Sequence, residues 1–133
     1  MKLGLTAAVV FTCLCTPALT KPHLRDVASI NDPLVMLEVA NRIRRNCTTI
    51  SVRMVKAIGF VQSIQSRAKA MGYTQAEIDA YVDSDADKAR LRARATRFLN
   101  AQGVRGGNPQ SYCTLGKSQI ERSTQIGVLL RME

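Results

Sequence analysis

The sequence predicts an all-α fold, a compact bundle of about five helices stapled by one disulfide. Three observations lead there. Apolar residues recur at helical spacings of three and four through most of the chain beyond residue 31. Cap and stop signals divide that pattern into segments. Two cysteines, Cys47 and Cys113, remain once an N-terminal leader is set aside. No stretch alternates apolar and polar residues over a strand's length, so no strand is expected, and no internal repeat is present.

The leader is read from Lys2, a largely apolar run from Leu3 to Leu19 interrupted by Pro17, and small residues around Ala18. This is the layout of a secretory signal peptide, with cleavage expected after Thr20 or Ala18. Residues 1–20 are therefore assigned to the signal and residues 21–133 to a single all-helical domain of about 113 residues, a size that supports one core. No later apolar run is long enough to span a bilayer, so no transmembrane segment is expected after cleavage. The expected location is the periplasm or the exterior. There a lone pair of cysteines is most simply a disulfide, and two free thiols are the alternative. Closing so long a loop removes about 4 kcal/mol of freedom from the unfolded chain.

Residues 21–31, with Pro22 and the only histidine, His23, show no sustained period and are read as an extended lead-in. Asp32 followed by Pro33 predicts a helix start, with Met36, Val39, Ile43 and Cys47 on one face and an end near Asn46. The second helix has the most regular stripe, Ile50, Met54, Ala57, Val61, Ile64, Ala68 and Met71, and Gly72 supplies a left-handed stop. Thr74-Gln75-Ala76-Glu77 is a capping box, flanked by Tyr73 and Ile78 as a hydrophobic staple, and opens a short helix from Gln75 to about Asp83. Ser84 caps a fourth helix with Leu91, Ala95, Phe98 and Gln102 inward and Gly103 at its end. Gly106 and Gly107 form a joint, and Asn108-Pro109 starts a last helix running to Met132. Its stripe is Cys113, Gly116, Ile120, Ser123, Gly127 and Leu130, small enough for a neighbouring backbone to approach closely. Cys47 ends one helix and Cys113 lies in the first turns of another, so a bond between them would hold the two antiparallel.

The net charge is +9, falling to about +8 without residues 1–20, which points to anionic surfaces as partners. Arg90, Arg94 and Arg97 share one helical face, with Arg92 opposite; they are either a solvated face or a candidate anion-binding patch. Nucleic acid is set aside for an exported chain with few aromatics and no Trp. Asp83, Asp85 and Asp87 imitate the start of a calcium loop. Lys88 and Arg94 stand where its glycine and bidentate glutamate belong, so helix capping accounts for the acids and no metal is assigned. Glu77 and Asp79 point apart on a helix and do not make a hydrolytic carboxylate pair. Asn46-Cys47-Thr48 matches a glycosylation sequon, and a helix-ending Asn explains it equally.

The segments Asn46-Cys47-Thr48-Thr49-Ile50-Ser51-Val52-Arg53-Met54, Gly72-Tyr73-Thr74-Gln75-Ala76-Glu77-Ile78-Asp79-Ala80-Tyr81-Val82, Ser111-Tyr112-Cys113-Thr114-Leu115-Gly116 and Ser123-Thr124-Gln125-Ile126-Gly127 carry a resemblance. Together they resemble a family of unknown function comprising small exported helical proteins from alphaproteobacteria of the Rhodobacterales type. The resemblance covers nearly all of the mature chain. It implies a periplasmic location and no particular activity, cofactor or catalytic residue. The expected role is non-enzymatic, the binding of an anionic envelope component or an acidic protein. A hydrolase-like envelope enzyme and a thiol-redox protein using Cys47 and Cys113 are the alternatives; oligomeric state is left open.

Overall fold

The computed structural model describes residues 20–133, so the signal expected over residues 1–20 lies outside the described residues but for Thr20. Five α-helices run in order: α1 (Ala28–Asn46), α2 (Met54–Ala70), α3 (Gln75–Asp83), α4 (Asp85–Ala101) and α5 (Pro109–Glu121). Two short strands, β1 (Ile50–Val52) and β2 (Leu130–Met132), pair antiparallel with Val52 opposite Leu130 and Ile50 opposite Met132. α1 is the central element: α4 and α5 both pack on it. The main core gathers Val39, Ile43, Ile50, Ala95, Leu99, Leu115, Ile126, Leu129 and Leu130. A second cluster joins Leu24, Val27, Ile30, Ile64, Ala68, Tyr73 and Ile78, and Phe60 touches both.

The lead-in is extended only as far as His23. A 3-10 turn spans Leu24–Asp26 and α1 begins at Ala28, five residues before the expected start. The buried Asn31 explains both features. Its amide donates to the carbonyls of Leu24 and Val27 at 2.7 Å each, and its oxygen accepts from the Tyr81 hydroxyl. Pro33 consequently falls inside the helix, where its missing N–H leaves the Ser29 carbonyl without a helical donor. Arg67 of α2 fills that place, donating to Ser29 O at 2.8 Å.

Ile50 contributes to the core from a strand rather than from α2, which starts at Met54. The last helix stops at Glu121, not Met132. There Ser123 takes a left-handed φ of 49°, and the amides of Ser123 and Thr124 return to the carbonyls of Ile120 and Gln119. Gly72 and Gly103 make the same closure at the ends of α2 and α4. The capping box at Thr74 is present as expected.

Candidate functional site

Cys47 and Cys113 are bonded, with their Cα atoms 5.2 Å apart. One turn further along each helix, a Cβ placed on Gly116 would meet Ile43, so α1 runs backward as α5 runs forward: the pair is antiparallel. Cys47 is fully buried and the bond ties the end of α1 to the first turns of α5.

The three arginines of α4 are placed differently from one another. Arg90 pairs with Asp87 at 3.1 Å, and Arg94 reaches Asp32 of α1 at 2.6 Å. Arg97 is exposed and belongs to no ion pair among the described residues. Asp87 is buried between Arg90 and Arg25, the latter at 3.5 Å. Burial opposes its ionisation, but hydrogen bonds with Ser84 and Arg90 and the neighbouring Arg25 charge outweigh that, holding the carboxyl below its ordinary value. The same neighbourhood borders an open cavity of about 440 Å³, lined by Lys21, His23, Arg25, Tyr73, Tyr81 and Asp87 among others. Its charges are matched internally. Lys21 bonds Glu77 and the Gly72 carbonyl, both at 2.9 Å, and stands over the Tyr73 ring. The Thr74 amide and Lys21 hold Glu77 below its ordinary value, while burial and the Asp87 charge raise Tyr81. These contacts close the N-terminal segment over α3 and the start of α4.

The other side of α4 is different in kind. An open groove of about 500 Å³ lies between α1, α2 and α4, within the size range of small-molecule sites. Its floor is apolar: Leu34 and Leu37 from α1, Val52, Met54 and Ala57 around the start of α2, and Leu91 from α4. Arg44, Lys88 and Arg92 stand on its rim with a single acid, Glu38. Glu38 is already bonded to Arg42 at 2.9 Å, and Arg42 also reaches Thr96 and the Arg92 carbonyl, locking α1 to α4. Lys88 donates to the Asp83 carbonyl at 3.3 Å and lies 3.7 Å from the fully exposed Asp85 carboxylate, and Arg92 enters no ion pair among the described residues. The rim is therefore net positive above an apolar floor. Sequence reasoning did not assemble this groove. Its signal was a second stripe on the first helix, Ile30, Leu34 and Leu37, beside the Val39 face.

Fold and site together define a small, basic, disulfide-stapled helical protein with an apolar groove. It belongs to the family of unknown function DUF5333, whose family model matches residues 22–131. No curated protein and no solved structure gives a significant match. Among the described residues no helix is long and apolar enough to cross a membrane, and the disulfide is compatible with an extracellular location.

Proposed function

We propose that this is a non-enzymatic periplasmic binding protein that takes an anionic amphiphile of the cell envelope in the groove between α1, α2 and α4. The observation that carries the reading is the asymmetry of the groove: an apolar floor under three cations, with its one carboxylate already neutralised by Arg42. An acyl chain would lie on Leu34, Leu37, Met54 and Leu91, burying apolar surface on both sides. A phosphate or carboxylate head would sit at Arg44, Lys88 and Arg92, where guanidinium groups bond oxyanions in pairs. The signal-like leader supports the compartment, as does the disulfide. The arginine face of α4 is the weaker anchor, because Asp87 and Asp32 already offset Arg90 and Arg94.

Calorimetric titration of the oxidised protein with dodecyl phosphate, below its micelle concentration, tests the reading. Saturable one-to-one binding is expected. The pair Arg44→Glu and Arg92→Glu should weaken it at least about tenfold, each lost charged contact being worth about 1.5–3 kcal/mol. Dodecyltrimethylammonium, with the same chain and opposite charge, should not bind. If the triple reversal of Arg90, Arg94 and Arg97 to Glu abolishes binding while the groove pair does not, the arginine face is the site and the groove reading fails.

A further inference from the structure

We propose that the groove docks on, and is loaded from, a bilayer surface containing anionic lipid, with the outer face of α2 entering the headgroup region. This rests on the reading of the groove as an amphiphile site. Among the described residues, four of the eight exposed large apolar side chains lie in the first two turns of α2: Met54 (64% exposed), Val55 (86%), Ile58 (51%) and Val61 (44%). Met54, Ile58 and Val61 follow at spacings of four and three, so they share one side of the helix. Met54 also lines the groove, so the apolar floor continues outward onto that face. An amphiphile could thus pass from the bilayer to the groove over apolar surface alone.

Charge decides the occupant. α2 holds Lys56, Arg67 and Lys69 and no acidic residue, Arg53 precedes it, and the groove beside it carries Arg44, Lys88 and Arg92. A second copy laid on this face would bring the same cations together on a chain of net charge about +8, whereas an anionic headgroup layer complements them. Val55 stands about 100° around the helix from Met54, so the patch is a broad convex surface. Such a surface suits a fluid interface, which conforms to it.

Vesicle flotation with the oxidised protein tests the inference, using vesicles of equal phosphatidylglycerol and phosphatidylcholine against pure phosphatidylcholine. The protein should float with the anionic vesicles only, and less so as salt rises, because exposed attractions are screened. The double variant Val55→Gln, Ile58→Gln alters only exposed side chains, so it should keep the wild-type circular dichroism. It should lose vesicle binding about tenfold while its affinity for dodecyl phosphate stays within about twofold, since binding at an interface scales with buried apolar area. Equal flotation with neutral vesicles, or unchanged flotation of the variant, overturns the proposal. So does a concentration-dependent dimer in sedimentation that the variant abolishes, which would make a second copy the occupant. Dodecyl phosphate binding without flotation overturns this inference alone; no dodecyl phosphate binding overturns the groove reading beneath it.

Discussion

Gly127 gives the sharpest energetic expectation. It opens the turn that carries the chain from the end of α5 into β2, and its backbone φ lies outside the left-handed region, so alanine is conformationally acceptable there. Space is not available. A Cβ at Gly127 would stand 1.9 Å from the Gln119 carbonyl oxygen and 2.3 Å from its carbon, where ordinary contact begins near 3.4 Å. Both partners are backbone, so relief requires the chain to part by about 1.5 Å. That movement strains the Thr124 hydroxyl bridge, which donates to the Gln119 side chain and accepts from the Gly127 amide. Overpacking relieved by side-chain motion costs about 1–3 kcal/mol. Lifting the segment instead uncovers Ile126, Leu129 and Leu130, about 1.5–3 kcal/mol each. The compromise should cost at least about 3 kcal/mol of a total near 5–15 kcal/mol. For roughly 113 residues this lowers Tm by about 12 °C. Gly116→Ala is the comparator: its Cβ would meet the Ile50 and Ile43 methyls at 2.5 and 2.6 Å, which are side chains, and the helix gains up to about 1 kcal/mol of propensity. Its net loss should be only about 1–2 kcal/mol. Urea and thermal melts of both variants decide the matter. A Gly127→Ala protein within about 1 kcal/mol of wild type, or less destabilised than Gly116→Ala, would refute the steric argument.

Four other expectations follow from particular contacts. Cys47→Ser or Cys113→Ser opens a loop spanning 66 positions and should cost about 2–5 kcal/mol by denaturant melt, with no free thiol alkylated in the native, unreduced wild type. Intact mass of protein recovered from the periplasm should show loss of about 18–20 residues, and a full-length mass would contradict the export reading. Asp87 titrates below its ordinary value near 3.8 in the folded protein, so the stability it contributes is complete above that pH and disappears as pH falls through the lower folded-state value. Melting temperature should therefore drop more steeply below about pH 4 in wild type than in Asp87→Asn, and parallel curves would remove Asp87 from the acid response. Ser123→Gly should raise stability by about 0.5–1 kcal/mol, since relief of left-handed strain, about 1–2 kcal/mol, exceeds the added unfolded-state entropy of glycine.

That serine also shows where the sequence was readable. Three helices end in the same left-handed closure. At Gly72 and Gly103 the residue type announces it, and both ends were expected where they occur. At Ser123 the closure is made by a residue with no such preference, so the stripe through Gly127 and Leu130 read as continuing helix although it belongs to a turn and a strand. The capping box at Thr74 was legible because all its partners lie within four residues. The contact between Asn31 and Tyr81 was not, because Tyr81 is fifty residues away; nor was the Arg67 bond to the Ser29 carbonyl that Pro33 orphans, so Pro33 looked like a first-turn proline. Likewise the spacing of Arg90, Arg94 and Arg97 is in the sequence, but Asp32 and Arg25, which distinguish them, arrive only through folding.

The stripe of α2 carries the same lesson toward function. Helical periodicity measures how an apolar face is arranged and not whether anything covers it. In the second half of α2, Ile64 and Ala68 are covered by Leu24, Val27, Ile30, Tyr73 and Ile78. In the first half, Met54 and Val61 occupy equivalent stripe positions and remain exposed, Met54 at the groove itself. A small domain with limited apolar surface to bury gains stability by covering such a face, since each full side chain is worth about 1.5–3 kcal/mol. β1 pairs with β2, and just beyond that pair the Arg53 amide donates to the Leu129 carbonyl at 2.8 Å, which fixes the start of α2 beside the groove. The apolar face left open at that position, beside three cations, is the observation on which the proposed anionic-amphiphile site rests.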